Sequence, residues 1–249
     1  MVVAFTALAG YQHGATNYNP NTIAHEITVA AGQDLLIVVC HERTDAPMST
    51  CSWDGDALTH VQGVDAGTGG QERDLDIFVL EDPEAKTADL TFTGPTHNEH
   101  RINPITVSGL AAGTRLGAGQ GEFTTADTAT NAGNFTAAND TLEARCTLTT
   151  TQADSAVLVF GAGGGNGNSF TDASEVTMSD LFNGETGSGT LFGVTYWVGF
   201  NIGVGAIAEL TMGGDMAGND EWTVSALELL VDAVGGTTRR YSLGMTGVG

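Results

Sequence analysis

Apolar and polar positions alternate along most of this chain with a period of two, the pattern of half-buried β-strands. Ile23 to Val29 puts Ile23, His25, Ile27 and Val29 on one face, and Asp74 to Glu81 does the same with Leu75, Ile77 and Val79. Leu35 to Cys40 is instead an unbroken apolar run, too short for an ordinary helix and rich in β-branched residues, which predicts a central strand. Between these lies Ser49 to Val61, where Asp54-Gly55 separates two strand-like arms. That dipeptide predicts a type I′ hairpin turn, because both central residues of such a turn need positive φ. Further strands are expected at Met1–Gly10, Ala88–Thr93, Ile105–Ser108, Ala156–Phe160, Thr190–Phe200, Ala206–Met212 and Glu221–Val231. No segment sustains a helical period, although Val224–Val231 fits either pattern. Turn or loop chemistry fills Tyr11–Asn21, His41–Met48, Gly63–Gly70, Gly94–Arg101 and Gly161–Ser169. Ala111–Asp140, with Phe123 and Phe135 as isolated anchors, reads as a functional loop or an extended arm.

The two halves echo each other at a separation of roughly 120 residues, far longer than a solenoid unit. Ile27-Thr-Val, a polar turn and Leu35-Leu-Ile-Val-Val answer to Leu148-Thr-Thr, a polar turn and Val157-Leu-Val-Phe. Ala88-Asp-Leu-Thr-Phe answers to Ala208-Glu-Leu-Thr-Met, and Ile105-Thr-Val-Ser-Gly-Leu to Trp222-Thr-Val-Ser-Ala-Leu. The expected fold is an all-β antiparallel sandwich, jelly-roll-like, with two similar halves as two facing sheets or a double Greek key. One domain is expected over 1–234, followed by a flexible extension over 235–249.

Composition narrows the function. Thirty acidic residues face eight basic ones, a formal charge of −22, and Lys86 is the only lysine. Nucleic acid needs a basic face and anionic membranes repel an acidic one, so neither is expected as a partner. A surface this acidic and lysine-poor suits concentrated salt, where screening removes self-repulsion; the other reading is solubility at high protein concentration. Cys40, Cys51 and Cys146 have no metal-ligand spacing and read as small buried hydrophobes in a chain folded in a reducing cytoplasm. The start lacks the basic head of a signal peptide, and no run approaches the roughly 20 apolar residues of a membrane span.

Gln33–Val39, then Trp53-Asp-Gly-Asp-Ala-Leu-Thr with the alternating Leu75–Leu80, then Glu221-Trp-Thr-Val-Ser-Ala-Leu-Glu-Leu form an ordered set over Ile23–Val231. In that set the chain resembles a family of jelly-roll-like β-sandwich domains found in tailed-virus virion proteins and in prokaryotic surface and secreted proteins. The resemblance implies a decoration, spike or fibre module in a virion, or an adhesion or carbohydrate-binding module elsewhere. It carries no catalytic residues to transfer.

Candidate chemistry is sparse, and no cofactor or metal is expected. His97-Asn-Glu-His100 has neither the spacing nor the helix of a zinc hydrolase. His41-Glu42 with His60 forms an acid/base set only if the hairpin folds back. Asp54 and Asp56, and Asp172, Glu175 and Asp180, are oxygen-rich without the EF-hand spacing. Gly161-Ala-Gly-Gly-Gly-Asn-Gly lacks the Lys-Ser/Thr of a phosphate loop, and Ser155, Ser174 and Ser225 lack nucleophile-elbow glycines. Tyr11, Tyr18, Tyr196 and Trp197 are the aromatics available for a sugar, with Trp197 reading as core. Beyond the last strand, Arg239-Arg240 precede Tyr241, Leu243 and Met245 at alternate positions. That tail reads as an arm that docks on a neighbouring acidic subunit, or as a frayed end. The expected function is a non-enzymatic virion structural protein of a tailed virus, on the capsid or tail surface. It would be assembled in the host cytoplasm as a homo-oligomer among neighbouring virion subunits. A glycan-binding or adhesion module contacting host surface glycan is the alternative, and a glycan-active hydrolase the third reading.

Overall fold

The computed structural model describes residues 3–18, 22–43, 50–64, 74–93, 97–117, 124–125, 143–164, 170–172, 174–185, 194–205, 209–215 and 222–231. The first half contains β1 (Ala4–Ala7), β2 (Tyr11–Tyr18), β3 (Thr22–Val29), β4 (Leu35–Arg43) and β5 (Thr50–Trp53). It continues with β6 (Asp56–Ala57), β7 (Thr59–Val64), β8 (Asp74–Glu81), β9 (Lys86–Thr93) and β10 (His97–Ser108). The second half contains β11 (Thr124–Thr125), β12 (Glu143–Thr149), β13 (Ser155–Gly164), β14 (Thr171–Asp172) and β15 (Ser179–Glu185). Its last strands are β16 (Val194–Val204), β17 (Glu209–Asp215) and β18 (Trp222–Leu229). Every described strand pair is antiparallel, and there is no helix among the described residues.

The strands form four sheets. An inner sheet of the first half runs β1-β10-β4-β8-β7, with β2 also on β10, and an outer one runs β3-β9-β5-β6. The second half repeats this plan: an inner sheet β11-β18-β13-β16-β15 and an outer sheet β12-β17-β14. Read in chain order, β1, β3, β4, β5, β7, β8, β9 and β10 hold the places later taken by β11, β12, β13, β14, β15, β16, β17 and β18. The echo in the sequence is therefore a repeated topology, and each half is itself a two-sheet sandwich.

Three apolar layers separate the four sheets. The first half encloses Ile23, Ile27, Leu36, Val38, Trp53, Phe78, Leu90 and Phe92, and the second encloses Leu148, Val157, Val159, Trp197, Leu210, Met212 and Val224. Between the inner sheets lies a shared layer containing Leu35, Ile37, Val39, Ile77, Ile105, Leu158, Phe160, Val198 and Leu227. The inner strands are thus buried on both faces, which is why β4 and β13 read as unbroken apolar runs while β3 and β9 alternate. Each fully buried Leu, Ile, Val or Phe contributes about 1.5–3 kcal/mol, and the middle layer joins the halves into one stack.

The backbone pairing corrects several expectations. Tyr11–Tyr18 and His97–Arg101, expected as loops, pair with each other from His97↔Tyr18 to Arg101↔Gln12. β4 runs on to Arg43 through polar residues because β10 covers it as far as Glu99↔Arg43. β13 likewise continues to Gly164 opposite Val194, and β15 pairs β16 in a stretch for which no strand was expected. Pro104 sits inside β10 where the neighbouring edge is interrupted between β1 and β2, and its carbonyl accepts from Leu8 N–H at 2.9 Å. A proline is tolerated there because its missing N–H faces that gap. The expected hairpin turn is present, with Asp54 at φ 52° and Gly55 at φ 87°. The matching of Val107 with Val224 in the sequence echo does not hold. Placing Ile37 on Leu158 carries Ile105, its neighbour across the ladder, onto Leu227. Val107 faces the middle layer and Val224 the core of the second half.

The connector between the halves, residues 109–117, is tied to both. Ala111 and Gly117 N–H donate to Leu230 and Glu228 carbonyls at 2.9 Å each, and Leu230 N–H donates to Arg115 at 2.8 Å. From that connector the Arg115 guanidinium reaches back to the first half, donating to both Asp82 oxygens at 2.9 and 2.6 Å. Glu81 at 3.6 Å and Asp34 at 3.8 Å complete its acidic surroundings.

Candidate functional site

The shared middle layer changes character along its length. At one end Phe5 meets Phe200 with ring centroids 4.7 Å apart; at the other the same faces carry polar residues. On a strand, residues two apart share a face, so His41 continues the face of Leu35, Ile37 and Val39, and Arg101 and Asn103 that of Ile105 and Val107. On the second half, Thr223 and Ser225 continue the face of Leu227 and Leu229, and Tyr196 that of Val198. The registers align His41 with Arg101 and with Leu75 in one row, and Ala162 with Thr223 and Tyr196 in the facing row.

His41, Asn103, Thr223 and Ser225 are fully buried. The His41 ring lies 5.9 Å from the Tyr196 ring, and the Arg101 guanidinium stands over that same ring at 4.9 Å. Arg101 Nε donates to Asn103 Oδ1 at 2.8 Å, which turns the Asn103 amide nitrogen away from the guanidinium. Gly10 makes room for Arg101, since a Cβ at residue 10 would stand 2.5 Å from its terminal nitrogen. Burial, reinforced by the Arg101 charge, pushes the His41 imidazole down from 6.5 to about 3, with the Gly161 backbone as a smaller opposing influence. His41 is therefore neutral near pH 7.

The other candidates are distributed elsewhere. His60 does not meet His41: its Nε2 lies 2.6 Å from Oδ1 of the fully buried Asp76, on the opposite face of the inner sheet. The His97 side chain lies outside the described residues, and His100 is buried and stacks on Tyr11 at 5.6 Å. Asp54 engages Lys86 at 2.7 Å beside the turn, and Lys86 covers the Trp53 ring at 4.9 Å. The calcium candidates are occupied by donors of their own chain. Asp172 accepts from Ser174 N–H at 3.0 Å and Met178 N–H at 2.7 Å, and Glu175 from Thr211 N–H at 2.7 Å. Asp180 accepts from the Trp197 indole at 2.6 Å. Among the described residues no three potential metal ligands come together.

Ser155 donates to Gln152 and Glu228, and Ser174 to the Gly213 carbonyl, so both hydroxyls serve turns. The first glycines of the segment expected as a loop, Gly161–Gly164, belong to β13 instead. All three cysteines are buried and reduced, and burial pushes the Cys51 and Cys146 thiols up. Of the aromatics proposed for sugar contact, Trp197 is fully buried, Tyr196 is covered by Arg101, and Tyr11 packs between His25 and His100. The Tyr18 side chain and the docking candidates Arg239, Arg240, Tyr241, Leu243 and Met245 lie outside the described residues.

Sequence reasoning flagged His41 but gave it the wrong partner, and it passed over Arg101, Asn103 and Thr223. Counting back in twos from Ile105 reaches Asn103 and Arg101, a signal hidden by reading the segment as a loop. No family model, curated protein or solved structure matches the chain.

Proposed function

We propose that this chain is a non-enzymatic structural module of a virus particle, serving on the capsid or tail surface as a rigid spacer between neighbouring subunits. The observation that carries the reading is the fused double sandwich: two outer sheets facing opposite ways, set at a fixed distance by a common apolar layer and by the Arg115 clamp. Such a stack resists shear, because sliding one half over the other would expose Ile37, Ile105, Leu158 and Phe160 to water. Its acidic side chains work as internal fasteners: Asp172, Glu175, Asp180 and Glu228 each receive donors from their own chain. The outward faces carry cross-strand hydroxyls, with Thr28 and Thr87 2.8 Å apart, which suits weak, repeated contacts among many copies. In this reading the tail from residue 235 is the attachment arm, with Arg239 and Arg240 meeting the acidic surface of the next subunit.

Quantitative mass spectrometry of particles purified from the cells that make the protein tests this. Stoichiometric abundance is the expected result, and full absence from the particles overturns it. Deleting residues 235–249 is expected to leave the stack folded and to lower incorporation.

A further inference from the structure

The two edges of the middle layer are closed differently. The halves face each other reciprocally: β10 packs toward β16 as β18 does toward β8, and β4 toward β16 as β13 does toward β8. A pseudo-two-fold relation gives this pattern, and the ladders name the matching stations. With Ile37 matched to Leu158, Val79 takes the place of Phe200, Leu116 that of Phe5, and Val61 that of Leu181. Both edge strands are irregular at the same step, between His60 and Gln62 and between Asp180 and Phe182. At one edge Phe5 lies against Phe200 and fills the layer. At the other edge smaller side chains hold those stations, and a groove of about 280 Å³ remains, its lining including Ala57, Thr59, Val61, Val79, Glu81 and Leu116.

We propose that this groove holds the C-terminal tail of its own chain in the free protein, with Tyr241, Leu243 and Met245 as the apolar anchors. The tail starts beside the groove. Leu229 pairs with Leu116, Val231 two residues on pairs with Leu110, and Gln152 Nε2 donates to the Val231 carbonyl at 2.5 Å. Strand rise and spacing put that start about 10 Å from Leu116. Residues 232–240 can span about 30 Å when extended. Tethering at that range gives a local concentration on the order of millimolar, which populates a contact too weak to hold between separate molecules. The charges are complementary as well. Asp34, Glu81 and Asp82 share the one Arg115 guanidinium, which leaves negative charge at this end of the groove for Arg239 and Arg240. An aromatic ring is what the twin edge uses, and Tyr241 offers one. The docking stands apart from the particle reading, but its consequence rests on it: an arm stowed in the free chain is released only where a neighbour competes for it.

The experiment uses the full chain carrying Thr59→Cys with Ser242→Cys, oxidised mildly at low protein concentration. The native cysteines are buried and do not compete. A disulfide within one chain is expected, forming at least about tenfold faster than in a Thr28→Cys/Ser242→Cys chain, whose first thiol stands on the exposed outer sheet. Val79→Phe supplies the ring that Phe200 gives the twin edge. It is expected to hold or raise the melting temperature and to slow the disulfide at position 59 about tenfold. Replacing Tyr241, Leu243 and Met245 together by serine leaves the stack untouched and is expected to slow it as much. Equal rates at positions 59 and 28, or an unchanged rate in the serine variant, overturn the proposal. Disulfide-linked dimers in place of monomers overturn the assignment to the same chain. None of these outcomes bears on whether the protein is found in particles, so failure here is separate from failure of the particle reading.

Discussion

Replacing Glu228 with glutamine tests how the second half is held together. Glu228 is fully buried on β18, and its carboxylate takes hydrogen bonds from four donors of the turn before β13. These are Thr151 N–H at 2.9 Å, Thr151 Oγ at 2.7 Å, Gln152 N–H at 3.1 Å and Ser155 Oγ at 2.5 Å. The connector packs over it at Gly117, where any Cβ would overlap a carboxylate oxygen. Glutamine keeps the volume but sets a donor against donors. The backbone N–H groups cannot turn round, whereas the hydroxyls of Thr151 and Ser155 can rotate to accept. A hydrogen bond to a charged group contributes about 1.5–3 kcal/mol against about 0.5–1.5 for a neutral one. Losing one bond and weakening three others comes to about 4.5–7.5 kcal/mol, a large share of the stability of an ordinary domain. Urea unfolding followed by circular dichroism gives the magnitude. Tryptophan fluorescence in a Trp53→Phe background, which reports on the second half, and in a Trp197→Phe/Trp222→Phe background, which reports on the first, then shows whether both halves respond together, as a shared middle layer requires. A change below about 1 kcal/mol would refute this account of Glu228. A transition confined to the second half would refute the coupling of the sandwiches.

Three more outcomes are expected. Gly55→Val at φ 87° is expected to cost about 1–2 kcal/mol or more in thermal unfolding, since a β-branched residue resists left-handed backbone; an unchanged melting temperature argues against the type I′ turn. The hydrogen bond from Arg115 holds the Asp82 carboxyl below its ordinary value, so the clamp stabilises the fold above the unfolded pKa of about 3.9 and is lost as pH falls through the lowered folded value. Arg115→Met is therefore expected to flatten the acid limb of a stability-against-pH curve, and an unchanged limb argues against the clamp. His41 binds its proton more weakly folded, at about 3, than unfolded, at 6.5, so stability is expected to fall as pH drops between those values. His41→Phe is expected to remove that part of the slope, and equal slopes in parent and variant would show that His41 does not titrate between the sheets.

The strands with a side to hide were legible because burial writes itself into the order of residues. β3 and β9 alternate since one face meets water, and β4 and β13 do not since neither face does. The Asp54-Gly55 turn was legible for a local reason, its positive φ. β2, β15 and the first turns of β10 were not, because Gln12, Asn183 and Arg101 are placed by backbone ladders that leave no apolar mark. The number of sheets was hidden too. Two halves that each look like a sheet in sequence are each a pair of sheets, and only long-range pairing separates the members. The polar end of the middle layer escaped notice because its members come from four strands distant in the chain.

The repeated plan also frees the molecule from a constraint that binds true dimers. In an isologous pair every residue at the contact meets a copy of its own surroundings, so each choice is made twice. Here the two rows hold unlike residues at matching stations: His41 where the second half has Ala162, Arg101 where it has Thr223, and Leu75 where it has Tyr196. The imidazole of one half therefore meets the phenol ring of the other, and a cation stands over that same aromatic face. Two copies of the first half brought together the same way would set both the imidazole and the guanidinium against leucine. Joining the halves in one polypeptide turns a mirror into a lock and key, with each side released to evolve as the complement of the other.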